Sequence, residues 1–209
     1  MKGRLRLRYN SHVILTFTAI SLAALILNLL TRGWSNRTLF SVYRASLLSP
    51  LTWLRLFTHV LGHSGYQHFI GNMLLFLVVG PPMEEKYGSK KLLVAILITA
   101  GVTGIAEMLL FPGHALLGAS GIVFMLIVLS SLSGMREGTI PLTLIVVVVL
   151  YIGQEVVDMI TVRDNISQLG HIIGGLCGAA IGSIPKEMTV PSAALSLYRE
   201  ERMTNEVAS

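Results

Sequence analysis

The sequence predicts an all-α protein that crosses a membrane several times, as a bundle of six transmembrane helices. Three observations predict it. Charged residues make up only 13% of the chain, about half the share of a soluble domain. Mean hydropathy is +0.69, and the apolar residues gather into segments close to the roughly 20 residues that cross a bilayer core. The alternating pattern of a barrel strand is absent, and an open sheet would leave backbone groups unpaired in lipid.

The six segments are roughly 12–31, 67–83, 90–110, 118–134, 139–157 and 167–184. The first contains Val13 to Thr31, 19 residues without a charge. That is long for the core of a signal peptide, no small-residue cleavage site stands out, and it reads as a retained helix. The second opens from the polar stretch His63 to Gln67 and is expected to end at Pro81-Pro82. The third and fourth are parted by Phe111-Pro112-Gly113-His114, a turn signal. The fourth and fifth are parted by Arg136-Glu137-Gly138, the fifth ends near Glu155 and Asp158, and the sixth ends at Pro185-Lys186. The chain thus divides into a basic N-terminus (1–11), a membrane domain (12–184) and a polar tail (185–209).

Lysine and arginine set the orientation. With the N-terminus in the cytosol, 11 of them fall on the cytosolic side and five (Arg32, Arg37, Arg44, Arg55 and Arg163) outside, as the positive-inside rule favours. Both termini are then cytosolic, and the loop of about 32–66 is external. Its Trp34, Tyr43, Trp53, Leu54 and Phe57, mixed with arginines, suit a segment lying in the interface. The net charge of +5 belongs to helix ends and signals no nucleic acid. The single cysteine, Cys177, can build neither a disulfide framework nor a Cys-based metal site, and reads as a small buried apolar residue.

Polar groups inside apolar segments are expensive and are functional suspects. Here they are His59, His63, His68, Asn72, Glu107, Ser120, Glu155, Asp158 and His171. Ser120 lies in Gly118-Ala119-Ser120-Gly121 at the outer start of the fourth segment. The flanking glycines clear space for a carbonyl, and a helix N-terminus favours nearby negative charge. Small residues around a serine also occur wherever membrane helices pack. His171 begins the last segment, beside a stripe of Gly170, Gly174, Gly178 and Gly182 that lets another backbone come close. By this topology Ser120 and His171 share one side of the membrane. His68 and Asn72 are four apart, so they project from one helical face. Both can donate a hydrogen bond to a developing oxyanion, where one donor is worth roughly 2.7–4 kcal/mol. His59, His63 and His68 also raise a metal reading, but no cysteine or acid completes that set. No Asp or Glu is placed to orient His171. A Ser120–His171 dyad is the economical proposal, with Phe124, four residues after Ser120, packing on the imidazole.

In this order, the residues resemble the rhomboid family of intramembrane serine proteases, over about residues 50–184. Trp53-Leu54-Arg55-Leu56-Phe57-Thr58-His59 is similar to the family's Trp-Arg element, and His63, His68 and Asn72 to its second-helix pattern. Gly80, Glu84 and Gly88 resemble its cytosolic turn. Gly118-Ala119-Ser120-Gly121 resembles the nucleophile motif, and His171 with Gly174 the last-helix motif. Phe124 stands where the family often carries Tyr. The resemblance implies a six-helix bundle in the cell membrane whose site opens outward through a wet cavity. It implies Ser120 as nucleophile, His171 as general base and an oxyanion hole from His68, Asn72 and the Ser120 amide. Gly118 would help line that hole, with His63, Phe124 and Gly174 in support. Substrates would be proteins with a transmembrane segment, cut in or near the span where the backbone can unwind. No cofactor and no metal is called for.

The competing readings are a catalytically inactive relative that binds membrane helices, a histidine-based metal or cofactor protein, and a small transporter. The last should show internal symmetry or paired broken helices, and the sequence shows neither. It also holds no H-E-x-x-H zinc motif and no pair of intramembrane aspartates. Glu84 reads as a structural group satisfying backbone or Lys/Arg donors at the inner helix end; for Glu107, near the outer end of the third segment, a surface role competes evenly with any other.

Overall fold

The computed structural model describes residues 9–133, 142–147, 149 and 168–183. Helix α1 (His12–Leu30) is followed by the short α2 (Trp34–Leu39), strand β1 (Val42–Tyr43) and helix α3 (Pro50–Thr58). A 3₁₀ turn over His59–Leu61 leads to α4 (Tyr66–Tyr87) and α5 (Ser89–Leu110). Strand β2 (Ala115–Leu116) precedes α6 (Ser120–Leu132), α7 (Leu142–Val147) and α8 (Gln168–Gly182). Most of the expected fifth span and the whole of the expected tail lie outside the described residues, as do Glu155 and Asp158.

Among the described residues, two helices are long and apolar enough to cross a membrane by length and composition, His12–Leu30 and Ser89–Leu110. Their bounds match the expected 12–31 and 90–110 to within a residue. Apolar side chains face outward on both, among them Ile20, Ile26 and Leu29 on α1, and Val94, Ile98 and Ile105 on α5. Polar ones face inward: Ser21 and Asn28, Thr99 and Thr103. Glu107 is also buried, at 4% exposure, so of the roles left open for it the surface one is excluded. In water this arrangement would be inside out; in lipid it hides the groups that hydrocarbon cannot solvate.

Helix α6 is the core. Every residue from Ile122 to Leu129 is buried, which for an apolar helix means neighbours on all sides. Its 13 residues rise about 20 Å, against about 33 Å for the 22 residues of α4. The Lys86 ammonium, in the last turn of α4, donates to the Ser133 carbonyl at the end of α6, which ties these two helix ends together.

Pro81 and Pro82 do not end the second helix; α4 runs through them to Tyr87. Two prolines remove two backbone donors, and packing against α1 overrides that loss. A Cβ at Gly80 would overlap the Ile14 side chain, so α1 lies directly on α4 there. One turn on, the Glu84 carboxylate accepts the Val13 and Ile14 amides at 2.9 and 3.0 Å, and the Ser89 hydroxyl at 2.7 Å. It caps α1 and receives the start of α5, the structural part expected of it.

The segment from about 32 to 66 is more ordered than a plain interfacial segment. Val42–Tyr43 pairs antiparallel with Ala115–Leu116, a two-residue ribbon too short to leave any periodicity in the sequence. Arg55 is buried beneath it; its Nε donates to the Thr38 carbonyl at 2.7 Å and its guanidinium lies 4.5 Å from the Tyr43 ring centroid. Trp53, Leu54 and Phe57 of α3 point outward, and the Trp53 indole donates to the Leu47 carbonyl at 2.9 Å. Cys177 is half-buried on α8, packed against the core.

Candidate active site

Ser120 opens α6 and is half-buried. The first intrahelical hydrogen bond of that helix runs from the Val123 amide to the Ala119 carbonyl, so the amides of Ser120, Gly121 and Ile122 have no acceptor within the helix. Three N–H groups and the positive end of the helix dipole thus gather around the hydroxyl.

The segment before it is held by two devices. Gly118 has φ +126°, a backbone conformation open to glycine and strained for other residues. Its N–H donates to the His59 carbonyl at 2.9 Å, so this amide is engaged inside the protein and what Gly118 offers the site is space. His59 is itself buried; its Nδ1 meets the Arg55 carbonyl at 3.1 Å and its Nε2 the Thr103 hydroxyl at 3.4 Å. Sequence reasoning singled out His59 as a polar functional suspect, as a metal suspect and as the end of the Trp-Arg element, and gave it no structural part. It is a strut between α3, α5 and the serine loop.

His68 and Asn72 come to the same place. A Cβ on Gly118 would lie 2.8 Å from His68 Cε1 and Nε2, and 3.9 Å from Asn72 Nδ2. Asn72 donates one amide hydrogen to the His68 carbonyl at 3.1 Å, and its second remains for another acceptor. His63 stands behind them. Its ring packs edge-on against His68 at 5.1 Å and against Phe69 at 5.3 Å, and its Nδ1 meets the Leu61 carbonyl at 3.1 Å. Burial holds His63 well below the usual imidazole range, at about 4, so the ring is neutral.

His171 reaches the site through glycines. A Cβ on Gly174 would overlap the Gly121 carbonyl oxygen, and one on Gly178 the Met125 carbonyl oxygen. The Gly121 position itself lies 3.2 Å from the Gly170 oxygen, measured from its would-be Cβ. α8 therefore lies backbone-to-backbone along α6, as the glycine stripe predicted. His171, 8% exposed, stacks on Phe124 with centroids 4.6 Å apart and planes 4° from parallel. Phe124 is one turn after Ser120 on the same side of α6, so the imidazole is set beside the serine turn.

The structure thus brings Ser120, His171, His68, Asn72, Gly118, Phe124, Gly174 and His63 to one end of the bundle. Sequence reasoning did not single out Ser64, whose Oγ lies 3.1 Å from His68 Nδ1; a serine four residues before a histidine is too common a pattern to signal this.

A helical bundle with apolar residues outward and a polar site at the start of a buried helix defines an integral membrane protein. Residues 50–186 match the rhomboid domain. The chain belongs to the rhomboid family. It is 32% identical over 187 residues to Rhomboid protease GluP of Bacillus subtilis, a match covering 85% of this chain and 36% of the relative. It is 30% identical over 186 residues to Rhomboid-related protein 2 of Mus musculus, covering 78% of this chain and 61% of that relative. The chain therefore spans about a third and about three-fifths of the lengths of these two relatives.

Proposed function

We propose that this chain is an intramembrane serine endopeptidase that cuts membrane proteins in or near a transmembrane segment, with Ser120 as nucleophile and His171 as general base. The observation that carries the proposal is the stacking of His171 on Phe124, one turn below Ser120. It supports a dyad whose imidazole is oriented by an aromatic face instead of a carboxylate. The family relation to a protein named as a protease supports it too.

On this reading His171 accepts the Ser120 proton as the oxygen attacks the scissile carbonyl carbon. The carbonyl π electrons move onto oxygen, and the oxyanion is met by the His68 Nε2–H, the free Asn72 amide hydrogen and the Ser120 N–H. Collapse re-forms the carbonyl and breaks the C–N bond, and His171 passes its proton to the leaving amine. Water, deprotonated by His171, then attacks the acyl-serine and restores Ser120. A peptide bond held in a helix cannot present its carbonyl this way, so substrates should unwind easily at the cut. The proposal extends to six spans, with the part of the fifth beyond α7 outside the described residues, both termini cytosolic, and a site opening to the outer side of the cell membrane.

The test uses the full chain in detergent and a fluorophosphonate that phosphonylates activated serines. Wild-type protein is expected to be labelled at Ser120. Ser120→Ala should lose all labelling, and His171→Ala should lose at least about 100-fold in rate, the usual contribution of a general base. Labelling that survives in Ser120→Ala would sink the proposal. A folded wild-type chain that never labels would favour an inactive relative that binds membrane helices.

A further inference from the structure

We infer that Ser64 is a positioning residue for His68, fixing which imidazole nitrogen carries the proton so that Nε2–H faces the space at Gly118. The inference rests on the protease reading above and adds one residue to it. Ser64 is exposed and stands just before Gly65, the N-cap of α4. Its backbone N–H and its Oγ both reach His68 Nδ1, at 3.4 and 3.1 Å.

A main-chain N–H can only donate, so Nδ1 must turn a lone pair toward it. A neutral imidazole with a bare Nδ1 carries its hydrogen on Nε2. That nitrogen is the one on the site side, 2.8 Å from where a Gly118 Cβ would stand. Among the described residues, Ser64 supplies the hydrogen bonds made by the His68 ring. His63, edge-on at 65°, holds the plane of the ring but does not choose its tautomer. The choice matters because the opposite tautomer would aim a lone pair at the developing oxyanion and repel it. Ser64 touches neither Ser120 nor the space for the reacting carbonyl. It acts through His68.

The experiment reads the proton and the rate separately. Full-length chain labelled with ¹⁵N-histidine is prepared as wild type, Ser64→Ala and Ser64→Thr, with His68→Asn to assign the resonance. Wild type and Ser64→Thr should both show a protonated Nε2 and a bare Nδ1. Ser64→Ala loses the shorter hydroxyl contact at 3.1 Å and keeps only the long main-chain one at 3.4 Å, too weak to hold the tautomer alone, so it should show a mixture of tautomers. Its fluorophosphonate labelling should slow about tenfold, the worth of one hydrogen bond, and threonine should restore the rate. A His68 protonated on Nδ1 in wild type overturns the inference, and that spectrum decides even where Ser64→Ala does not fold. So does a Ser64→Ala chain with wild-type tautomer or wild-type labelling rate. A labelled wild type with an indifferent Ser64→Ala removes Ser64 alone. A wild type unlabelled at Ser120 removes the protease reading and the role of Ser64 with it.

Discussion

Gly118 shows how one missing side chain shapes the site. Its φ of +126° strains any other residue, and a methyl there would press on the His68 ring from 2.8 Å. Gly118→Ala should therefore lower thermal stability by about 1–3 kcal/mol. It should also slow fluorophosphonate labelling by more than about 100-fold, as loss of an oxyanion donor does. A mutant that melts lower but labels at the wild-type rate would show that His68 is no donor. Phe124 is the second test at this scale. Phe124→Leu removes a stacked pair worth about 0.5–1.5 kcal/mol, so labelling should slow by up to about tenfold, while Phe124→Tyr should keep the rate. Ser120, His171, His68 and Asn72 were legible in the sequence because polar groups in apolar segments stand out. Ser64 was not, because an exposed serine in a loop gives no such contrast and its partner is set by how the chain turns into α4.

At the scale of elements, the glycines at 174 and 178 decide how near α8 comes to α6. Alanine at either would meet a main-chain carbonyl, which cannot step aside as a side chain can. Gly174→Ala or Gly178→Ala should cost more than the 1–3 kcal/mol typical of an overfilled core. Gly71→Ala is the control: among the described residues nothing lies within 4 Å of a Cβ placed there, and helix propensity predicts a gain of about 0.5–1 kcal/mol. Melting curves in one detergent separate the two cases, and a Gly174→Ala chain as stable as Gly71→Ala would contradict the close packing. The stripe was readable because its period is helical. The path of α4 through Pro81 and Pro82 was not, because the contacts that sustain it, Gly80 on Ile14 and Glu84 on the Val13 and Ile14 amides, come from a segment some 70 residues away in sequence. The β1–β2 ribbon was missed for a like reason: its pairing joins two dipeptides far apart in the chain.

For the molecule as a whole, the two buried imidazoles between α3 and α4 predict a response to acid. Burial lowers His59 and His63 from the ordinary 6.5 to about 4. Between those values the unfolded chain binds protons that the folded chain refuses. Stability from these groups is thus complete above about pH 6.5 and is lost as pH falls toward 4. Melting temperature should be highest near neutrality and drop through that window, less so in His59→Gln; a flat profile from pH 7 to 4.5 would count against buried neutral rings. Composition alone made the membrane legible, and the outward apolar faces of α1 and α5 agree with it. The full set of spans was harder to read from helix length, because the central helix is short. That shortness has a consequence. At about 20 Å, α6 is shorter than the roughly 30 Å core of a bilayer. On the protease reading the surrounding protein, and not the lipid, would hold a dent open for solvent at its Ser120 end. Hydrocarbon tails bordering such a dent meet a surface thinner than they are, so the same atoms would sit deeper and drier in a thicker membrane.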